Sequence, residues 1–198
     1  MIQHLISSLS TETIYAVVGL IVFLESAIVF FFFLPGDSLL FSLGIYISYG
    51  LLDAHVLLPV LIVAAILGNM VGYWLGKYFG QKWIRVGYTK YIKPEYFRKS
   101  EKFFSNYGSV SVFLSRFVPI VRTIMPFLAG IASMKKNKFT VFSIVGGVVW
   151  VSVVVSVGYF FGNTVSIANV EKFVLLLMLF VVFIVPFIMK YVKKYILK

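Results

Sequence analysis

The sequence predicts an all-α polytopic membrane protein, arranged as an inverted repeat with two opposed re-entrant helical hairpins. Three observations carry that prediction. Hydrophobic residues make up 61% of the 198 and charged residues only 13%, against about 25% charged in a soluble chain. Apolar runs recur at close to the roughly 20 residues that cross a bilayer. The basic residues lie between these runs and near the C-terminus rather than on a solvated face. The expectation is one transmembrane domain over 1–198, with about four transmembrane helices, the two hairpins and an amphipathic cytoplasmic surface helix.

In chain order, Ile14–Leu34 reads as a full span. It is too long for the apolar core of a signal peptide, has no basic stretch before it and contains Glu25, so it is expected to be retained. The first hairpin is placed at residues 35–54, because Ser38–Leu52 is apolar yet too short to cross comfortably. Val56–Gly76 is a full span. Residues 77–107 carry Lys77, Lys82, Arg85, Lys90, Lys93, Arg98, Lys99 and Lys102. Their second half reads as a surface helix opened by Pro94 and stopped by Gly108. Tyr96, Phe97, Ser100, Phe103, Phe104 and Tyr107 share its membrane-facing side. The second hairpin covers residues 109–134, which include Arg116, Pro119, Arg122 and Pro126. Phe139–Phe161 and the C-terminal segment 173–189 are further spans.

Cytoplasmic loops of membrane proteins are enriched in Lys and Arg. That rule puts residues 77–102, Lys135, Lys136, Lys138 and the terminal lysines in the cytoplasm. Only a hairpin at 109–134 keeps both inner clusters on one face. The resulting path starts Ile14–Leu34 inside, brings Val56–Gly76 in from outside, and leaves the N- and C-termini cytoplasmic. A short repeat supports it. Gly44 and Gly130 close similar runs, and 28 residues beyond each stands a matching pentapeptide, Gly72–Gly76 and Gly158–Gly162. Opposed repeats with broken helices meeting near the midplane are a transporter architecture.

Several function classes are excluded or disfavoured. The net charge of +11 has no soluble domain on which to present a nucleic-acid face. The absence of cysteine removes thiol chemistry and cysteine metal sites. His4 and His55 lack metal-ligand spacing, so no metal or cofactor is expected. No nucleophile–base pair or phosphate-cradling glycine loop is present, and an enzyme is not expected.

Intramembrane charges are where function is sought. Glu25, Asp37, Arg116 and Arg122 lie in or beside apolar segments, at roughly 2.5–3.5 kcal/mol each if deep and unpaired. Two acids and two arginines balance in sign, so mutual compensation in a polar cavity is expected. Glu25 reads as a proton-exchanging carboxylate or as an arginine's structural partner. Asp37, after Pro35-Gly36, reads as a helix N-cap that can also titrate. Arg116 and Arg122 flank Pro119, with Pro126 close behind, and guanidinium forks suit phosphate. Interfacial anchoring is the plainer reading of the arginines. Pro35, Gly36, Pro119, Pro126 and Gly130 are the residues expected to shape the hairpins.

The ordered set Glu25, Phe33-x-Pro35-Gly36-Asp37, Gly68-Asn69-x-x-Gly72-Tyr73-x-x-Gly76, Phe113-x-x-Arg116-Phe117-x-Pro119-x-x-Arg122, Pro126-x-x-Ala129-Gly130, the Met134 to Phe139 spacing and Trp150 resembles the DedA family of bacterial membrane proteins, which share the VTT domain. The resemblance covers roughly residues 10 to 165. It implies the opposed hairpins, and an acid pair and arginine pair needed for activity. It also implies lipid transport, since some members are reported to recycle undecaprenyl phosphate while relatives flip or scramble phospholipids; undecaprenyl phosphate is the first choice of cargo here because its phosphate monoester suits two convergent arginines. The expectation is therefore a lipid transporter of the bacterial cytoplasmic membrane, linked to the proton-motive force. Arg116 and Arg122 would bind the phosphate, and Glu25 and Asp37 would couple to H+, or to Na+ as the alternative ion. A phosphatidylethanolamine flippase or scramblase and a proton-coupled cation or osmolyte transporter are the alternatives. Expected partners are membrane lipids, including anionic phospholipids, and further copies of the chain in a homo-oligomer.

Overall fold

The computed structural model describes residues 10–28, 36–80, 104 and 106–164. The predicted span 173–189, most of the surface segment 77–107 and Pro35 lie outside them. Among the described residues every regular element is helical. They are α1 (Thr11–Ala27), α2 (Gly36–Ser48), α3 (Ala54–Leu75, with a π-helical turn Gly76–Gly80), α4 (Val110–Leu114, with a 3₁₀ turn Ser115–Phe117), α5 (Pro119–Ile131) and α6 (Lys136–Gly162).

Local chemistry sets most of the boundaries. Ser10 caps α1, its Oγ accepting from the Thr13 N–H at 3.3 Å, and Asp53 Oδ1 accepts from the His55 N–H at 2.8 Å to open α3. Gly108 takes φ +61 and ends the helical turn before it, as its sequence position predicts. Pro119 lacks an N–H and disfavours helical geometry in the residue before it. Val118 accordingly sits at φ −116, ψ 106, and α5 starts afresh at Pro119. That break separates Arg116 from Arg122.

Among the described residues two helices are long and apolar enough to cross a membrane, Ala54–Phe79 and Lys136–Gly162. At 1.5 Å per residue, the 26 and 27 residues reach about 39 and 40 Å. Their outward faces stay apolar: Val63, Leu67 and Val71 on α3, and Val141, Val145 and Val148 on α6, are all exposed. A helix apolar on every side is suited to lipid rather than water.

The described residues form two compact units. The first holds α1, α3 from Val56, α4, α5 and α6 up to Val151. Its apolar core is Tyr73, Val112, Met125, Ala129 and Phe139. Tyr73 stacks on Phe139 at 4.6 Å between ring centroids and donates to the Met134 carbonyl at 2.6 Å. Contacts Ile66–Gly147, Asn69–Ser143 and Tyr73–Phe139 show α3 and α6 running in opposite directions. The second unit holds α2 and the end of α6 from Ser152.

Both units repeat one packing device. In the first, α5 crosses the end of α3 so closely that a Cβ on Gly76 would strike the Phe127 carbonyl, and one on Gly130 the Tyr73 carbonyl. In the second, α2 crosses α6: a Cβ on Gly158 would strike the Phe41 carbonyl, and one on Gly44 the Val155 carbonyl. Small residues permit such approach between membrane helices. The register differs from the sequence match, which pairs Gly72 with Gly158. In the packing, Gly76 is the counterpart of Gly158, one helical turn further on.

Two expectations at the N-terminal side change. The run Ile14–Leu34 is not one helix: α1 ends at Ala27, and Ile28 is extended at φ −123. Its 17 residues span about 25 Å, less than the roughly 30 Å hydrocarbon core. Moreover, Gly19 packs on Val60, Phe23 and Ser26 on Gly68, and Ala27 on Gly72, so α1 and α3 run in the same direction. The expected path had them crossing oppositely. No Lys or Arg precedes Lys77, so the positive-inside rule has nothing to act on in this region.

Candidate functional site

The first unit concentrates buried polarity where α1, α3, α5, α6 and the 3₁₀ turn meet. Glu25 (3% exposed), Arg116 (3%) and Arg122 (6%) are all enclosed by protein, which sets aside the reading of the arginines as interfacial anchors. Asn69, Ser115, Thr123 and Ser143 are buried as well.

Glu25 sits two residues from the end of α1, not at the middle of a span. Its Oε1 accepts from Arg122 Nη2 in a buried ion pair. Arg122 lies one turn into α5, and Pro126 has no N–H to give its carbonyl, so the helix is loosened beside it. The Arg122 guanidinium also lies 4.2 Å from the centroid of the Trp150 ring. A cation over an indole face is worth about 2 kcal/mol or more when desolvated. Glu25 and Trp150 therefore hold Arg122 from two sides.

Arg116 is held differently. It lies on the 3₁₀ turn just before the Val118 break, with Nη2 donating to Ser143 Oγ at 3.4 Å. Its Nη1 is buried and has no hydrogen-bond partner among the described residues. On α6, Gly146 leaves room for the side chain, since a Cβ there would come within 3.1 Å of Arg116 Cγ. Ser143, Gly146, Gly147 and Trp150 fall at i, i+3, i+4 and i+7, a single helix face. One stripe of α6 thus meets both guanidiniums. Gly146 makes the slot for Arg116, whereas a Cβ on Gly147 would meet Ile66 and Arg116 at ordinary distances of 3.4 and 3.7 Å.

Asp37 lies in the other unit. It is the second residue of α2 rather than its N-cap, half-buried in the first turn. The N-terminal end of the helix dipole favours a carboxylate there. Gly36 is the first residue of α2 and buried. Pro119 opens α5, Pro126 lies within it, and Gly130 is the close crossing described above. In the sequence Asn69 stands out only as part of the Gly68-Asn69-x-x-Gly72 motif, with no role attached, and nothing in its local pattern marks Ser143.

The VTT domain family model matches residues 34–160. Protein DedA of Escherichia coli (strain K12) is 38% identical over 152 residues, covering 76% of this chain and 69% of that protein. The chain belongs to the DedA (VTT-domain) family. An uncharacterized membrane protein of Mycobacterium leprae (strain TN) is 36% identical over 156 residues, 78% of this chain and 70% of that one. The inner membrane protein YqjA of Escherichia coli (strain K12) is 31% identical over 151 residues, 76% and 69% of the two chains. No solved structure matches. The segment matched as a VTT domain contains Asp37, Arg116, Arg122, Asn69, Ser143 and Trp150, whereas Glu25 reaches the site from α1, before that segment.

Proposed function

We propose that this DedA-family protein carries a phosphate-bearing lipid across the bacterial cytoplasmic membrane, with undecaprenyl phosphate as cargo. The observation that carries the reading is the buried guanidinium of Arg116, whose Nη1 has no partner among the described residues. A desolvated cation with free donors is stabilised by an oxyanion, and a guanidinium meets a phosphate through paired, charge-assisted hydrogen bonds. Arg116, Arg122 and Glu25 together carry one net positive charge, so an arriving phosphate monoester offsets it. The lipid tail stays in the bilayer while the headgroup enters between the helices. The break at Val118 and the short α5 are read as a re-entrant hairpin, with Arg116 and Arg122 on either side of its tip.

Proton coupling follows from the ion pair. With Glu25 charged, Arg122 is held on it. A proton on Glu25 weakens that hold and lets Arg122 turn to the phosphate, with Trp150 steadying the guanidinium plane. Loss of the proton draws Arg122 back and releases the headgroup. Asp37, at the start of α2, is the second carboxylate available for coupling. Cargo is moved and not chemically altered. A cation exchanger is less favoured, because its acid would have to be free, whereas Glu25 is engaged by Arg122.

The test is translocation in liposomes holding purified protein, with labelled undecaprenyl phosphate and phosphatidylethanolamine offered separately, with and without a pH gradient. The reading predicts movement of undecaprenyl phosphate that responds to the gradient in the parent and not in Glu25→Gln. Movement of phosphatidylethanolamine alone would make the protein a phospholipid flippase. Sodium or proton flux without lipid movement would make it an ion exchanger.

A further inference from the structure

The geometry points to Asn69 and Ser143 as positioning residues that hold Arg116 with its free donors turned to the lipid phosphate. This assignment rests on the phosphate reading above. Ser143 is fully buried on α6, and Asn69 is 1% exposed on α3. The Asn69 amide donates to Ser143 Oγ at 2.9 Å, and Arg116 Nη2 donates to the same oxygen at 3.4 Å. A serine oxygen has two lone pairs, and both are engaged here. The hydroxyl proton must then point away from both donors. Three elements thus converge on one oxygen that tethers the guanidinium by one edge and leaves Nη1 without a partner among the described residues.

The cluster has a surplus of donors. Arg116 offers five N–H groups and no acceptor, Asn69 two N–H groups and a carbonyl, and Ser143 one O–H. Arg116 Nη1 and Asn69 Oδ1 are buried without partners among the described residues. Turning the amide over would let Ser143 donate to Oδ1, but it would free both amide N–H groups instead. In either orientation donors exceed acceptors. A buried polar group left unsatisfied bears the full cost of its lost hydration, a charged one most of all, so an oxyanion is what this cluster lacks.

The chemistry at Asn69 is chosen as much for what it omits. A carboxylate there would pair with Arg116, cancel its charge and fill the direction the headgroup needs. A neutral amide fixes the side chain without competing. Arg122 has the opposite arrangement, with a carboxylate on one edge and an indole on its face. The two arginines are therefore divided: Arg116 is the standing phosphate contact, and Arg122 is the one released by the proton.

The experiment titrates undecaprenyl phosphate and undecaprenol, which lacks the phosphate, onto full-length protein in detergent. Occupancy is read by native mass spectrometry and melting temperature on the same samples. Asn69→Asp is nearly isosteric and should bind undecaprenyl phosphate at least tenfold more weakly, with undecaprenol binding unchanged and melting temperature equal to or above the parent's. Ser143→Ala, which removes one oxygen, should weaken phosphate-lipid binding severalfold. If Asn69→Asp does not fold, Ser143→Ala decides on the same criterion. Parent-like phosphate selectivity in these variants would overturn the assignment and leave the transport reading standing. A parent that binds both lipids alike would overturn the phosphate reading and this assignment with it.

Discussion

At the scale of single residues, the two arginines differ in what satisfies them, and that difference is measurable. Removing one member of a buried ion pair strands the other and costs about 3–5 kcal/mol. Glu25→Ala and Arg122→Ala should each destabilise by that order. The double variant should lose clearly less than the two effects added, in a double-mutant cycle read by thermal unfolding. Additive losses would mean that the pair does not act as a unit. Gly146 and Gly147 give a second contrast. Gly146→Val places bulk against Arg116 Cγ and should lower transport at least tenfold, whereas the Cβ of Gly147→Ala meets only ordinary contacts at 3.4 and 3.7 Å and should leave transport within about twofold of the parent. The burdened charges themselves were legible in the sequence, since charged side chains inside apolar segments have few physical justifications. Which carboxylate meets which arginine was not legible. Glu25 and Arg122 are 97 residues apart, and only the packing of α1 against α5 decides their meeting. Ser143 left no trace either, because a serine in an apolar helix commonly bonds back to its own backbone.

At the scale of elements, the breaks and crossings do the positioning. The Val118 break could be read from Pro119, because proline acts on its neighbour by local sterics alone. The end of α1 at Ala27 could not, since Ile28 and the aromatic residues after it continue the apolar run, and apolarity does not distinguish helix from extended chain. The repeat register slipped for a similar reason. Gly68, Gly72 and Gly76 form a ladder spaced by four, so a match moved by one helical turn looks just as good. At the crossings the obstacle is backbone, which has little freedom to yield. Gly76→Ala and Gly130→Ala should therefore destabilise by about 3 kcal/mol, the upper part of the range for overpacking. Loss of less than ~1 kcal/mol in both would contradict the close crossing. The end of α5 offers the reverse case. Ser133 adopts φ 52, a left-handed conformation that costs a side-chain-bearing residue about 1–2 kcal/mol. Ser133→Gly should raise stability by about 0.5–1 kcal/mol after the added backbone entropy of glycine is subtracted.

At the scale of the whole molecule, helices apolar enough for a membrane accompany a buried cluster of Glu25, Arg116 and Arg122. The antiparallel course of α3 and α6 fixes one test of orientation. His55 opens α3, and Asn137 lies between Lys136 and Lys138 at the start of α6; both are exposed. In a protein without natural cysteines, His55→Cys should label from outside the cell and Asn137→Cys only after the membrane is opened. Labelling of both from one face would reject the orientation. One measurement decides whether Arg116 binds the lipid phosphate. It is the initial rate of undecaprenyl phosphate translocation in liposomes, measured against lipid concentration for the parent, Arg116→Lys and Arg116→Gln. A lysine keeps the charge but not the paired geometry. Phosphate binding by Arg116 predicts a reduced rate at low lipid for Arg116→Lys and a loss of at least a hundredfold for Arg116→Gln. Parent-like translocation by a folded Arg116→Gln protein would contradict it.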